Sequence, residues 1–195
     1  MIYEIVNAIV TELTTLSFKD VLVGIAQPLK INDNGKVRTV PAAYNANPTA
    51  CQVGSYYLDL VPNSSKKSII YFEEEGTRIN SYTKEYVDMS SEVLLVCWFN
   101  YKKINKTLHT PTLLVANVMK LIPSRLANMT YINSIRIEFK EELAHTPQIF
   151  SRYSYNEAEH QYITYPYDYF ALSYTINYRV NLDCVPLISE SLEPC

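Results

Sequence analysis

Glycine is scarce in this 195-residue chain, occurring only at positions 24, 35, 54 and 76. Neither GxGxxG nor GxxxxGK[ST] is present, so the close backbone approach to phosphate that those glycines permit is missing and nucleotide-dependent chemistry is disfavoured. Histidine is scarcer still. His109, His145 and His160 never stand at i and i+4, which leaves no HExxH and no zinc constellation. A cationic excess is also lacking: 17 Lys and Arg face 20 Asp and Glu, a formal net charge of -3, which disfavours nucleic-acid binding by phosphate neutralisation. No apolar run approaches membrane-spanning length, and the opening IYEIVNAIVTELTTL carries Glu4 and Glu12 without the positive start of a signal peptide. The expectation is a protein made in a cytoplasm with no membrane partner. Cys51, Cys97, Cys184 and Cys195 form no CxxC pair and are expected as free thiols.

Candidate chemistry is thin. Glu73-Glu74-Glu75 could hold a divalent cation, but as residues entering a turn at Gly76 they are expected to be a solvated hairpin tip. Glu141, Glu142 and His145 form a second weak cluster, also expected to be surface charge. A hydrolase using Cys51 or Cys97 with His109 or His160 has no local motif behind it. No catalytic residue, metal or cofactor is assigned.

Tyrosine, by contrast, is abundant, with 17 copies. Tyr153, Tyr155, Tyr162, Tyr165, Tyr167, Tyr169, Tyr174 and Tyr178 crowd one stretch. An apolar ring with a polar tip suits a wet interface, and tyrosine is equally favoured by strands.

Periodicity gives the coarse order. Ile2, Ile5, Val6, Ile9, Val10, Leu13 and Leu16 mark an amphipathic helix. Strands are expected over Asp20–Leu29 and Lys36–Tyr44, then a hairpin of Ser68–Glu75 and Thr77–Val87 about Gly76, then Glu92–Ile104. Thr110 and Pro111 start a second helix, whose interior LLVANVMKLI is apolar enough to be covered on more than one side. Tyr131–Lys140 is a strand, and Ser154 with Glu157 forms a capping box for a short helix over Asn156–Tyr162. In Phe170–Leu182, FALSYTINYRVNL, every even position is apolar and every odd one small or polar, a strand of roughly 40 Å. Its face of Ala171, Ser173, Thr175 and Asn177 is a candidate contact surface, the other possibility being a helix of the same chain lying over it. The fold class is α+β, with a mainly antiparallel sheet flanked by two main helices.

That order is similar to the tail-terminator and head-to-tail connector fold of tailed bacteriophages. GIAQPL at Gly24–Leu29, VPAAY at Val40–Tyr44 and YPYDYFALSYTINYRVN at Tyr165–Asn181 resemble the neck ring proteins of crAss-like phages. The resemblance implies one ring-forming domain over 1–182, with loop or arm insertions at 31–67 and 140–166 and a C-terminal tail over 183–195. It implies a non-enzymatic virion protein of the neck or upper tail, in a homo-oligomeric ring of twelve copies, or six. Its partners would be adjacent portal, neck or tail rings, with double-stranded DNA passing through the channel without sequence-specific binding. The contact residues expected on this reading are Tyr165, Tyr167, Tyr169, Thr175, Asn177, Leu187 and Ile188. A monomeric or dimeric module binding a peptide or glycan through its tyrosines is the alternative.

Overall fold

The computed structural model describes residues 1–33, 35–44, 57–104, 110–144, 147–154 and 157–185. Its first element, α1 (Ile2–Leu13), buries Ile2, Ile5, Val6, Ile9 and Leu13, the stripe that the three- and four-residue spacing predicts. It lies on a five-stranded sheet built from β1 (Val21–Ile25), β5 (Ser68–Tyr82), β6 (Tyr86–Asn100), β7 (Ile132–Ala144) and β8 (Tyr167–Asn181). The order is β1-β5-β6-β8-β7. β1 runs parallel to β5 and the other three pairings are antiparallel, so the fold is α+β with a mixed sheet.

The period of two in β8 sorts its residues between two cores. Phe170, Leu172, Tyr174, Ile176, Tyr178 and Val180 join Val93, Leu95, Cys97 and Phe99 of β6 beneath α1 and α2 (Pro111–Leu121). Helix α2 starts where its cap predicts, the Thr110 side chain accepting from the Leu113 N–H at 3.3 Å with proline in the first turn. It buries Leu114, Val115 and Val118, while Leu113 stays 45% exposed and Asn117 hydrogen-bonds the Leu113 carbonyl. Among the described residues, then, α2 is covered on one side.

Among the described residues, a second layer covers one end of the opposite sheet face. There Ile69, Tyr71, Leu94, Val96, Trp98, Tyr169 and Ala171 pack with Ala26, Ala43, Leu60, Ile149 and Phe150. The cover comes from a three-stranded antiparallel sheet, β2 (Gln27–Asp33), β3 (Lys36–Tyr44) and β4 (Tyr57–Asp59), from the 3₁₀ turn Pro147–Phe150, and from the 3₁₀ turn Gln161–Ile163 that extends the short α3 (Glu157–His160). The two stretches expected as insertions therefore contribute this second layer. Asn156, at the expected start of α3, lies outside the described residues.

Several boundaries differ from the sequence reading, β7 running on past Lys140 to Ala144 and β8 starting at Tyr167 before Phe170 among them. Asp20–Leu29 is not one strand: it divides at Ala26, whose N–H donates to the Phe72 carbonyl at 2.7 Å as the chain leaves one sheet for the other. Nor does the chain turn at Gly76. β5 runs through to Tyr82, with register breaks between Glu74 and Gly76 and between Ile79 and Ser81, so Gly76 marks a bulge. The turn lies over Thr83–Glu85, where the Thr83 hydroxyl accepts from the N–H groups of Glu85 (3.3 Å) and Tyr86 (3.0 Å). β6 accordingly begins at Tyr86, before the expected Glu92.

Candidate functional site

Beyond the second-layer cover, the same sheet face continues as a polar ladder. Register places Asp88, Ser90 and Glu92 of β6 opposite Arg179, Asn177 and Thr175 of β8. Each pair is bonded across the strands. Arg179 Nε donates to Asp88 Oδ1 at 2.7 Å and Nη2 to Oδ2 at 3.1 Å, while Ser81 Oγ adds a bond to Oδ2 at 2.7 Å. Ser90 Oγ donates to Asn177 Oδ1 at 2.9 Å, and Thr175 Oγ1 to Glu92 Oε2 at 2.7 Å. The Arg179 guanidinium beside Asp88 holds its carboxyl below the usual carboxylate range, with the Ser81 hydroxyl assisting. Arg179 also lies 4.0 Å over the Tyr86 ring. No described helix lies over this half of the face in contact with its central residues.

The expected contact residues divide accordingly. Tyr165 is 76% exposed, beside the cis Tyr165–Pro166 bond. Tyr167 is half-buried and stacks on Trp98 at 5.4 Å, and Tyr169 is buried edge-on against Phe150 at 4.9 Å, so both serve the second core. Thr175 is 3% exposed and bonded to Glu92, and Asn177 is bonded to Ser90. Leu187 and Ile188 lie outside the described residues.

A second feature was missed by reading Glu73 as part of a hairpin tip. Because β5 continues, Glu73 shares the face of Ile69 and Tyr71 and is only 3% exposed. Its Oε1 accepts from the Tyr153 hydroxyl at 2.7 Å and its Oε2 from Arg152 Nη1 at 3.4 Å. Burial pushes its pKa up, opposed by the Tyr153 hydrogen bond and by Arg152. The carboxylate borders an open cleft of about 290 Å³ lined by Tyr3, Gln27, Pro28, Glu75, Arg152 and Tyr153. The alternation Ile69, Tyr71, Glu73 was the available signal; nothing local marked Arg152 as its partner. Glu75 is exposed, and its Oε1 lies 3.9 Å from Arg152 Nη2, so Glu73 and Glu75 flank the same guanidinium.

Of the thiols, Cys97 is 1% exposed and burial pushes its pKa far up, which removes it as a nucleophile. Cys184 is free and exposed, whereas Cys51, Cys195, His109 and His145 lie outside the described residues. Comparison with protein-family models, curated proteins and solved structures yields no significant match for the chain.

Proposed function

We propose that this chain is a structural subunit of a ring in the neck or upper tail of a tailed bacteriophage, joining portal and capsid to tail around the DNA channel. The observation that carries the reading is the half-open sheet. Its ladder of cross-strand bonded pairs, Asp88–Arg179, Ser90–Asn177 and Glu92–Thr175, is a polar surface whose side chains hold one another in place, suited to a wet subunit interface. Exposed Tyr165 and Leu113 add apolar anchors outside it. The resemblance of Tyr165–Asn181 to neck ring proteins supplies the setting. A net charge of -3 suits a conduit, because a lumen without cationic excess releases few counterions and lets a duplex slide.

Closed symmetry would turn modest contacts into a collar. Light scattering on the purified chain, alone and with portal or tail partners, together with negative-stain microscopy, tests it: closed rings with a central hole are expected. A monomer under every condition overturns the reading. One observation favours the alternative of a binding module, the tyrosine-flanked cleft at Glu73, and a monomer that binds a peptide or glycan there would establish it instead.

A further inference from the structure

Among the described residues, the two edges of the five-stranded sheet are open over complementary stretches. On one side β1 covers β5 only through Ile69–Phe72, and from Glu75 to Tyr82 β5 is exposed with no described strand beside it. On the other side, the outer edge of β7 is occupied near Ile135–Ile137, where Leu126 N–H donates to the Ile135 carbonyl (3.4 Å) and Ile137 N–H to the Ser124 carbonyl (2.9 Å). From Phe139 onward no described strand pairs with it there, and Phe139–Glu142 are exposed. Long open edges of this kind are templates for another strand.

Three of the exposed large apolar residues sit on these edges: Ile79 (63%), Tyr82 (68%) and Phe139 (43%). All three lie on the helix-bearing face, since Ile79 is opposite Met89, Tyr82 opposite Val87 and Phe139 opposite Tyr174. Directions also fit. β5 and β7 run oppositely in the sheet, because β5 is antiparallel to β6, β6 to β8 and β8 to β7. The β5 edge of one copy therefore meets the β7 edge of an identically oriented neighbour as an antiparallel pair.

We propose that Gly76–Ile79 of one copy of this chain pairs with Phe139–Leu143 of the next, so that the sheet continues from subunit to subunit. The proposal rests on the ring reading and names its contact. Matching the sheet faces restricts the register to alternate pairings, and opposing the charges of Arg78 and Glu141 selects one of them. Arg78 lies on the polar-ladder face opposite Ser90, and Glu141 on the same face opposite Ser173, so these two charges oppose each other. Ile79 then meets Phe139, with Lys140, the residue at the β7 register break, bulged outward. Thr77 faces Glu142 and Gly76 faces Leu143. The contact is heterologous, joining different surfaces on the two copies, which is what a ring larger than a dimer requires.

The register also sets a tilt. Within one sheet Arg78 is level with Arg136, through Ser90 and Asn177, so pairing it with Glu141 shifts each copy along the strands by the steps to Ile137, Glu138, Phe139 and Glu141. At about 3.3 Å per step and about 4.8 Å per strand across five strands, the strands lean by roughly 30° from the ring axis, a little below the roughly 35–45° tilt of closed barrels.

The test uses the full chain with Cys51, Cys184 and Cys195 changed to serine, which leaves only the buried Cys97. Ile79→Cys and Phe139→Cys are introduced together or separately, and mild oxidation follows; facing strand residues have Cα spacings compatible with a disulfide. The double variant is expected to give a reducible ladder of multimers, and a mixture of the two single variants is expected to stop at dimers. Arg78→Glu should abolish assembly, and adding Glu141→Arg should restore it. Rings visible by microscopy with no ladder overturn the edge pairing and leave the ring reading standing. A ladder that yields open filaments supports the pairing and overturns the ring. A monomer that neither assembles nor crosslinks overturns both, and circular dichroism confirms that each variant is folded.

Discussion

Replacing Trp98 tests how the second layer is held to the sheet. The indole is 0% exposed, stacks on Tyr167 and donates from Nε1 to the Tyr162 carbonyl at 2.5 Å, tying the chain after α3 to the C-terminal end of β6. Trp98→Phe keeps an aromatic ring but loses that bond, worth about 1 kcal/mol net. It also leaves a void of roughly 40 Å³, costing about another 1 kcal/mol at the usual cavity coefficient. The expected loss is therefore about 2 kcal/mol, and Trp98→Ala should lose about 3 to 5 kcal/mol. With an unfolding entropy near 2.1 cal/mol/K per residue, a chain of 195 residues loses about 2.4 °C in Tm per kcal/mol. Trp98→Phe should melt about 5 °C below the wild type and Trp98→Ala about 7 to 12 °C below it. Far-UV circular dichroism is the suitable readout, because Trp98 is the only tryptophan and its loss removes the fluorescence signal. Limited proteolysis should also cut Trp98→Ala faster within 147–163. Both variants melting within about 2 °C of the wild type would refute the reasoning, since the stack and the Tyr162 bond would then contribute nothing to the fold.

Glu73 gives a pH signature of definite sign. Burial, its leading influence, raises its pKa in the folded state above the ordinary 4.5, so the native state holds a proton that the unfolded chain releases. Its contribution is full below pH 4.5 and is lost as pH rises through the folded pKa. In urea titrations from acid to neutral pH, the stability of the wild type relative to Glu73→Gln should decline with rising pH; a rise would contradict the desolvated environment. Two glycines separate the bulge from a true turn. A Cβ at Gly76 meets nothing within 4 Å and its φ is ordinary, so Gly76→Ala should change stability by less than about 0.5 kcal/mol. Gly35, with φ of +82°, should lose about 1 kcal/mol as alanine; equal costs at both sites in chemical denaturation would show that the chain turns at Gly76 after all.

Elements with strong periodicity were legible without coordinates. The stripe Ile2, Ile5, Val6, Ile9 and Leu13 dictated α1, Thr110 and Pro111 fixed the start of α2, and the alternation through Phe170–Val180 marked β8, because side-chain direction follows directly from backbone geometry. What misled was punctuation. Gly76 carries the composition of a turn and the function of a bulge, and Thr83–Glu85 turns the chain without glycine or proline. The same error hid Glu73, since a carboxylate counted as part of a tip is assumed to be solvated.

The candidate surface shows the same division in finer detail. That Thr175 and Asn177 share the odd face of β8 is a property of the strand and could be read from the chain. That each is already bonded, to Glu92 and to Ser90, depends on β6, whose partners stand far away in sequence. Among the described residues, the second layer built around Ile149 and Phe150 packs on Ala171 but not on the polar residues beyond it, where Thr175 and Ser90 are shielded by their neighbours in the sheet. No local pattern encodes that reach. By itself the sequence determined which residues lie inward and which outward along each element, a matter of periods of two and 3.6. Only the tertiary structure decided which edges are left without a partner, because an open edge is defined by the strands that do not pair with it, and pairing joins residues that sequence distance keeps apart.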